Sequence, residues 1–195
     1  RAKEWTEATE RWCKREAVSG FPGICRVHRA EIVAVSGAWE QAEAELVRAA
    51  DELVGFNAIP PLADGIYALG DIKRLKGDFE GAEATLRQAH ALGRNPQPAL
   101  ALIRLAEGKA RAGLSAITSA LEEATWDQIA RLKLLPAQVE VALAAGEIDV
   151  ARTAADELDA IVEAYSTPAR DATRLVARGR VHVADGDASS AADEL

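Results

Sequence analysis

Small and apolar residues recur along the chain at helical spacing, and they recur in blocks. Counting forward from Gly37, Trp39 lies two positions on, and Ala42, Leu46 and Ala49 follow at five, nine and twelve. Gly77 repeats the series with Phe79, Ala82, Leu86 and Ala89 at the same offsets. Looser copies begin at Gly108 (Ala110, Gly113, Ile117, Ala120), Gly146 (Ile148, Ala151, Ala155, Leu158) and Gly186 (Ala188, Ala191, Leu195). The five glycines are 40, 31, 38 and 40 residues apart, so one unit is used repeatedly. Offsets of five, nine and twelve fall on one face of an α-helix, and a glycine ahead of them allows a tight turn from a preceding helix. Seven residues before the anchors stand Ala30, Gly70, Ala101, Val139 and Gly179, small in four of five copies. The helix before each turn is therefore expected to pack closely on the helix after it.

This pattern predicts a first helix over 3–18 and then pairs over 24–36 with 39–54, 62–76 with 79–92, 99–107 with 109–124, 127–145 with 148–165, and 169–184 with a last helix after Gly186. Breaker clusters at 19–23, 55–61, 93–98 and 166–168 separate the pairs. Pro136 lacks an N–H and its ring clashes with the preceding turn, which predicts a break near Leu135 and a separate short helix over 127–134. No strand-like alternation stands out, and the composition of the periodic segments is Ala, Leu, Glu and Arg. Ala2, Thr6 and Thr9 have the spacing of Ala42, Leu46 and Ala49. The expectation is one array over residues 1–195, cut within a repeat at both ends.

The helix-turn-helix unit with these offsets, together with Leu69-Gly70 ahead of Gly77, resembles the tetratricopeptide repeat. The resemblance implies an all-α, right-handed α-solenoid of about five and a half tetratricopeptide-like helix-turn-helix pairs, stabilised by stacking of neighbours. A closer likeness is carried by Glu4-Trp5-Thr6, Arg11-Trp12-Cys13, the run from Cys25 to Glu31, Gly37-Ala38-Trp39 and the run from Leu134 to Gly146. These resemble the repeat region of large actinobacterial LuxR-type transcriptional regulators, which share the architecture of MalT-like ATPase regulators. In that family the array accompanies a nucleotide-binding domain and a C-terminal helix-turn-helix domain. These 195 residues hold no Gly-Lys-Ser/Thr phosphate loop. The resemblance thus implies a non-catalytic protein-interaction or effector-sensing segment; a free-standing tetratricopeptide scaffold without a DNA-binding domain is the alternative.

Composition narrows the partners. The chain carries 23 Lys and Arg against 31 Asp and Glu, a formal charge of −8, with 49% hydrophobic and 28% charged residues. Such a balance folds rather than staying disordered. The acid excess opposes direct contact with nucleic-acid phosphates. No apolar run approaches the roughly 18–20 residues of a membrane span, and no signal-like segment is present, so a cytoplasmic location is expected. Two cysteines do not make a disulfide framework.

Few residues suggest chemistry. Cys13, Cys25 and His28 lack the number and spacing of zinc ligands, and packing around a buried, hydrogen-bonded histidine is expected. Arg26 and Arg29 stand eleven and eight residues before Gly37, where the second repeat has Ile66 and Leu69. A guanidinium on that face needs a partner, with Glu31, Glu43 or Glu45 in reach; the polar cluster Cys13, Arg26, His28 and Arg29 is either such a network or a site for an anion. Trp5 and Trp12, seven apart, share a helical face expected to pack on a neighbouring unit. The acid-rich stretch from Glu40 to Glu52 is expected to face water.

The inner surface of such an array is lined by the first helix of each pair. Six residues before the anchors lie Glu31, Asp71, Leu102, Glu140 and Arg180, and ten before lie Val27, Tyr67, Pro98, Pro136 and Val176. Tetratricopeptide domains that clamp acidic chaperone tails need Lys, Arg and Asn there, and the six-before set supplies one Arg. The candidate groove is Glu31, Tyr67, Asp71, Arg74, Glu140 and Arg180. The expected occupant is a protein, a peptide or a small effector, with no cofactor, no metal and no catalytic residue. Apolar faces around Trp5, Trp12 and Leu195 suggest end-to-end self-association.

Overall fold

The computed structural model describes residues 2–15 and 21–194, apart from the side chains of residues 2, 3, 6, 10, 13, 14, 21 and 22. Among the described residues the secondary structure is all α: α1 (Ala2–Arg15), α2 (Phe21–Val35), α3 (Trp39–Gly55), α4 (Ile59–Leu75), α5 (Phe79–Ala91), α6 (Ala99–Ala106), α7 (Ala110–Glu123), α8 (Gln128–Ala145), α9 (Ile148–Ala164), α10 (Pro168–Asp185) and α11 (Ala188–Glu194). The chain divides into two compact units, Arg1–Ala99 and Leu100–Leu195.

The turns form where the glycines stand. Gly37, Gly77, Gly108, Gly146 and Gly186 all adopt left-handed backbone, with φ between 75° and 84°. A Cβ at Gly37 or Gly77 would meet nothing within 4 Å, so the backbone conformation, not space, demands glycine there. At Gly70 the reason is reversed: it is helical, and a Cβ would lie 2.9 Å from Leu86 Cγ and 3.4 Å from the Ala82 carbonyl oxygen. This is the close seam between α4 and α5 that the small residue predicts.

Each unit has its own core. In the first, Val27, Ala30, Ala42, Leu46, Ala49, Leu53, Leu62 and Ile72 pack together. In the second, Ala101, Ile117, Leu135, Val139, Ala142, Ala155, Leu158 and Val181 do so. All five residues seven before an anchor are buried, as are all those described at five, nine and twelve after one; Leu195 lies outside the described residues.

Three expectations need correction. Pro136 does not break its helix: α8 runs unbroken through it. Pro in a helix interior costs about 3 kcal/mol, but Leu134, Leu135, Ala137, Gln138 and Val139 on either side are all buried. Arg131 also fastens the start of α8, donating from NH1 to the Leu121 carbonyl at 2.7 Å, from NH2 to Glu157 Oε2 at 2.7 Å, and from Nε to the other Glu157 oxygen. Pro60 and Pro61, expected in a linker, lie in the first turn of α4, where the missing N–H has no intrahelical partner to lose. Trp5 and Trp12 are 73% and 48% exposed rather than packed. No helix among the described residues is long and apolar enough to cross a membrane.

Candidate functional site

In the first unit, α2 and α4 pack side by side and leave an open cleft of about 230 Å³. Its lining is Glu31, Ala34 and Val35 from α2, and Tyr67, Ala68, Asp71, Ile72 and Leu75 from α4. Three of the expected groove residues, Glu31, Tyr67 and Asp71, thus converge on it. Arg74 is tied to it through Asp71, donating from Nε to Oδ1 at 2.6 Å. Glu31 is half exposed and stands 3.3 Å from His28 Nδ1.

Tyr67 is the most constrained of the four. The Arg94 guanidinium lies over its ring, 4.5 Å from the centroid, and pairs with Asp64 at 2.9 Å. Burial, reinforced by the charge of Asp71 and opposed by Arg94 and a hydrogen bond from the Ala99 backbone, pushes the phenol pKa up to about 12. The ring is therefore neutral at physiological pH. Arg94 was not foreseen because it sits in the connection between repeats, where helical periodicity carries no information.

The remaining groove residues belong to the second unit. Glu140 on α8 and Arg180 on α10 pair with each other, NH1 to Oε2 at 2.6 Å, with both side chains nearly half exposed. They are 40 residues apart, the same interval that separates Glu31 from Asp71. At one repeat register, the first unit presents two acids, and the second presents Leu102 and then an acid with a base.

Of the expected polar cluster, Arg26 and Arg29 pair with carboxylates of α3. Arg26 donates from Nε to Glu52 Oε1 at 2.9 Å and from NH1 to Glu45 Oε2 at 3.1 Å. Arg29 donates from NH2 to the same Glu45 oxygen at 2.5 Å. Glu45 is only 13% exposed, so the acid-rich stretch of α3 does not simply face water; Glu43 likewise pairs with Lys76 at 2.8 Å. Burial raises the Glu45 carboxyl pKa, but the hydrogen bonds from Arg29 and Arg26 outweigh it and hold the group below its ordinary value. Glu52 was missed, although it lies seven residues after Glu45 and so on the same face of α3. His28 is exposed, not buried, because it points away from Arg26 and Arg29 on α2. The Cys13 side chain lies outside the described residues; Cys25 is buried. Among the described residues, no group of three or more His, Cys, Asp or Glu side chains is placed to hold a metal ion.

No protein-family model and no curated protein matches this chain. Solved structures do. A putative kinesin light chain from Podosopora anserina with nearly identical TPR-like repeats is 18% identical, with 87% of this chain and 89% of that one covered at a TM-score of 0.52. A tetratricopeptide repeat protein from Parabacteroides merdae is 14% identical, with 98% and 82% covered at a TM-score of 0.51. At such identities the likeness establishes the fold: the chain is an all-α repeat solenoid of tetratricopeptide type.

Proposed function

We propose that this chain is a protein-interaction or effector-sensing repeat segment of a LuxR-type transcriptional regulator, and that it works by binding rather than by catalysis. The observation that carries the binding role is the cleft of the first unit, where three residues at register positions of the first helix of a pair, Glu31, Tyr67 and Asp71, line one concavity. Arg74 steadies it. Glu140 and Arg180 are the corresponding recognition surface of the second unit. The regulator context rests on the sequence likeness of the runs from Cys25 to Glu31 and from Leu134 to Gly146. The acidic lining favours a protein, peptide or polar effector over nucleic acid, whose phosphates would meet like charge.

The complete open reading frame tests the context. A nucleotide-binding domain and a helix-turn-helix domain in the same reading frame are the expected result. A frame containing neither would make the chain a free-standing interaction scaffold. Tight duplex DNA binding by this segment at low salt would overturn the choice of surface.

A further inference from the structure

We infer that the cleft between α2 and α4 receives a lysine or arginine side chain of a basic amphipathic peptide, with an adjoining aliphatic side chain of that peptide resting on Val35 and Leu75. This deepens the reading of the surface lined by the first helix of each pair as the binding face and depends on it. Size argues for a side chain: about 230 Å³ falls below the roughly 300–1,000 Å³ of pockets that enclose whole small ligands. The walls argue for an apolar stem, since most of the lining is aliphatic, and Val35 is 90% and Leu75 42% exposed. Charge argues for a cationic tip. The carboxylates lining the cleft are Glu31 and Asp71, and neither Lys nor Arg is among its lining residues. Arg74 engages one oxygen of Asp71 and His28 stands 3.3 Å from one oxygen of half-exposed Glu31, so the charge offered to a ligand is the second oxygen of each carboxylate.

A long cationic side chain meets all three conditions, laying its methylenes on the aliphatic wall and its head group against the carboxylates. A phosphate or carboxylate ligand would meet like charge instead. One side chain in an open cleft cannot offset the loss of translational and rotational freedom on binding, so the affinity must be completed by neighbouring residues of a longer ligand. That requirement selects a peptide over a free amine.

The test uses the whole chain with two fluorescein-labelled peptides, one of alternating lysine and leucine and one with glutamate in place of lysine. Fluorescence anisotropy should rise saturably with the lysine peptide, and the methyl resonances of Val35 and Leu75 should shift as it binds. Glu31→Lys should weaken binding about tenfold. Glu147→Lys, which removes the same charge from an exposed position in the second unit, should change it by less than about twofold because distant surface charges are screened. Circular dichroism checks that both variants remain folded. The inference is overturned if the lysine peptide does not bind, if both variants weaken it equally, if the glutamate peptide binds better, or if binding leaves Val35 and Leu75 unmoved. Preference for the glutamate peptide, or binding away from Val35 and Leu75, would still leave an interaction segment; the regulator context is judged separately, by the reading frame.

Discussion

Two seams, α4 with α5 in the first unit and α8 with α9 in the second, solve the same packing problem with opposite choices of residue size, and the two units present different charges at the same register. In the seam of α4 and α5, glycine at position 70 faces Leu86. The equivalent positions in α8 and α9 are Val139 and Ala155, both buried, so the bulk has moved from the second helix to the first. One residue further along the first helix, Asp71 pairs with Arg74 of its own helix and shares a cleft with a second acid, Glu31, whereas Glu140 shares its register with a base, Arg180, and pairs with it. The buried exchange conserves volume and leaves the fold unchanged. The exposed exchange alters what the surface attracts. A repeat protein can therefore hold its architecture by pairwise compensation inside while its recognition surface differs from unit to unit.

The seam supplies the largest expected effect. Gly70→Val should cost about 3 kcal/mol by overpacking against Leu86, and combining it with Leu86→Ala should recover at least half of the summed cost of the two single changes, because the pair then matches Val139 and Ala155. Urea unfolding of the four species forms the cycle. Strictly additive costs would show that the two positions do not share one volume.

Ion pairs separate the units by a smaller margin. Glu45→Ala should destabilise by about 2 kcal/mol, since it removes the carboxylate that two largely buried guanidiniums share, while Arg26 keeps its bond to Glu52. Glu140→Ala, breaking a half-exposed pair, should cost about 0.5 kcal/mol or less. Equal losses in denaturant melts would remove the distinction between the largely buried network at Glu45 and the half-exposed pair of Glu140 with Arg180.

The pH dependence is smaller again, and its sign follows from the lowered Glu45 pKa. In the unfolded chain this carboxyl titrates near its ordinary 4.5, and in the folded chain below that. Its stabilisation is thus fully present above about pH 4.5 and is lost as the pH falls through the folded value. The difference in thermal midpoint between the native sequence and Glu45→Gln should be constant from about pH 7 to pH 5 and shrink below about pH 4.5. A difference that persisted undiminished at about pH 3 would contradict the pairing.

Much of the fold is legible because it is periodic. Gly37 and its four counterparts mark turns, and the buried positions follow at fixed offsets, since helix spacing and close packing both act locally. What stayed hidden depends on tertiary context. Pro136 obeys a local rule that burial of Leu135 and Val139 overrides. The sequence suggests a buried His28, and only the rotation of α2 shows that it faces outward. The cleft was half legible: the register named Glu31, Tyr67 and Asp71, while the charge carried by Arg94 over Tyr67 comes from a connection with no period. The ion pair of Glu140 with Arg180 joins residues 40 apart in sequence, on two helices, and only their packing brings the two together.

The central claim is that two acids at one register make the first unit receptive to a cationic peptide, whereas the paired acid and base at that register in the second unit do not. Asp71→Arg gives the first unit the charge pattern of the second with a single change on a partly exposed side chain. Calorimetric titration of the alternating lysine and leucine peptide into the native chain and into Asp71→Arg tests it directly. The account predicts a saturable heat for the native chain that is abolished in Asp71→Arg, with the folded state preserved. Equal affinity for both proteins would contradict it.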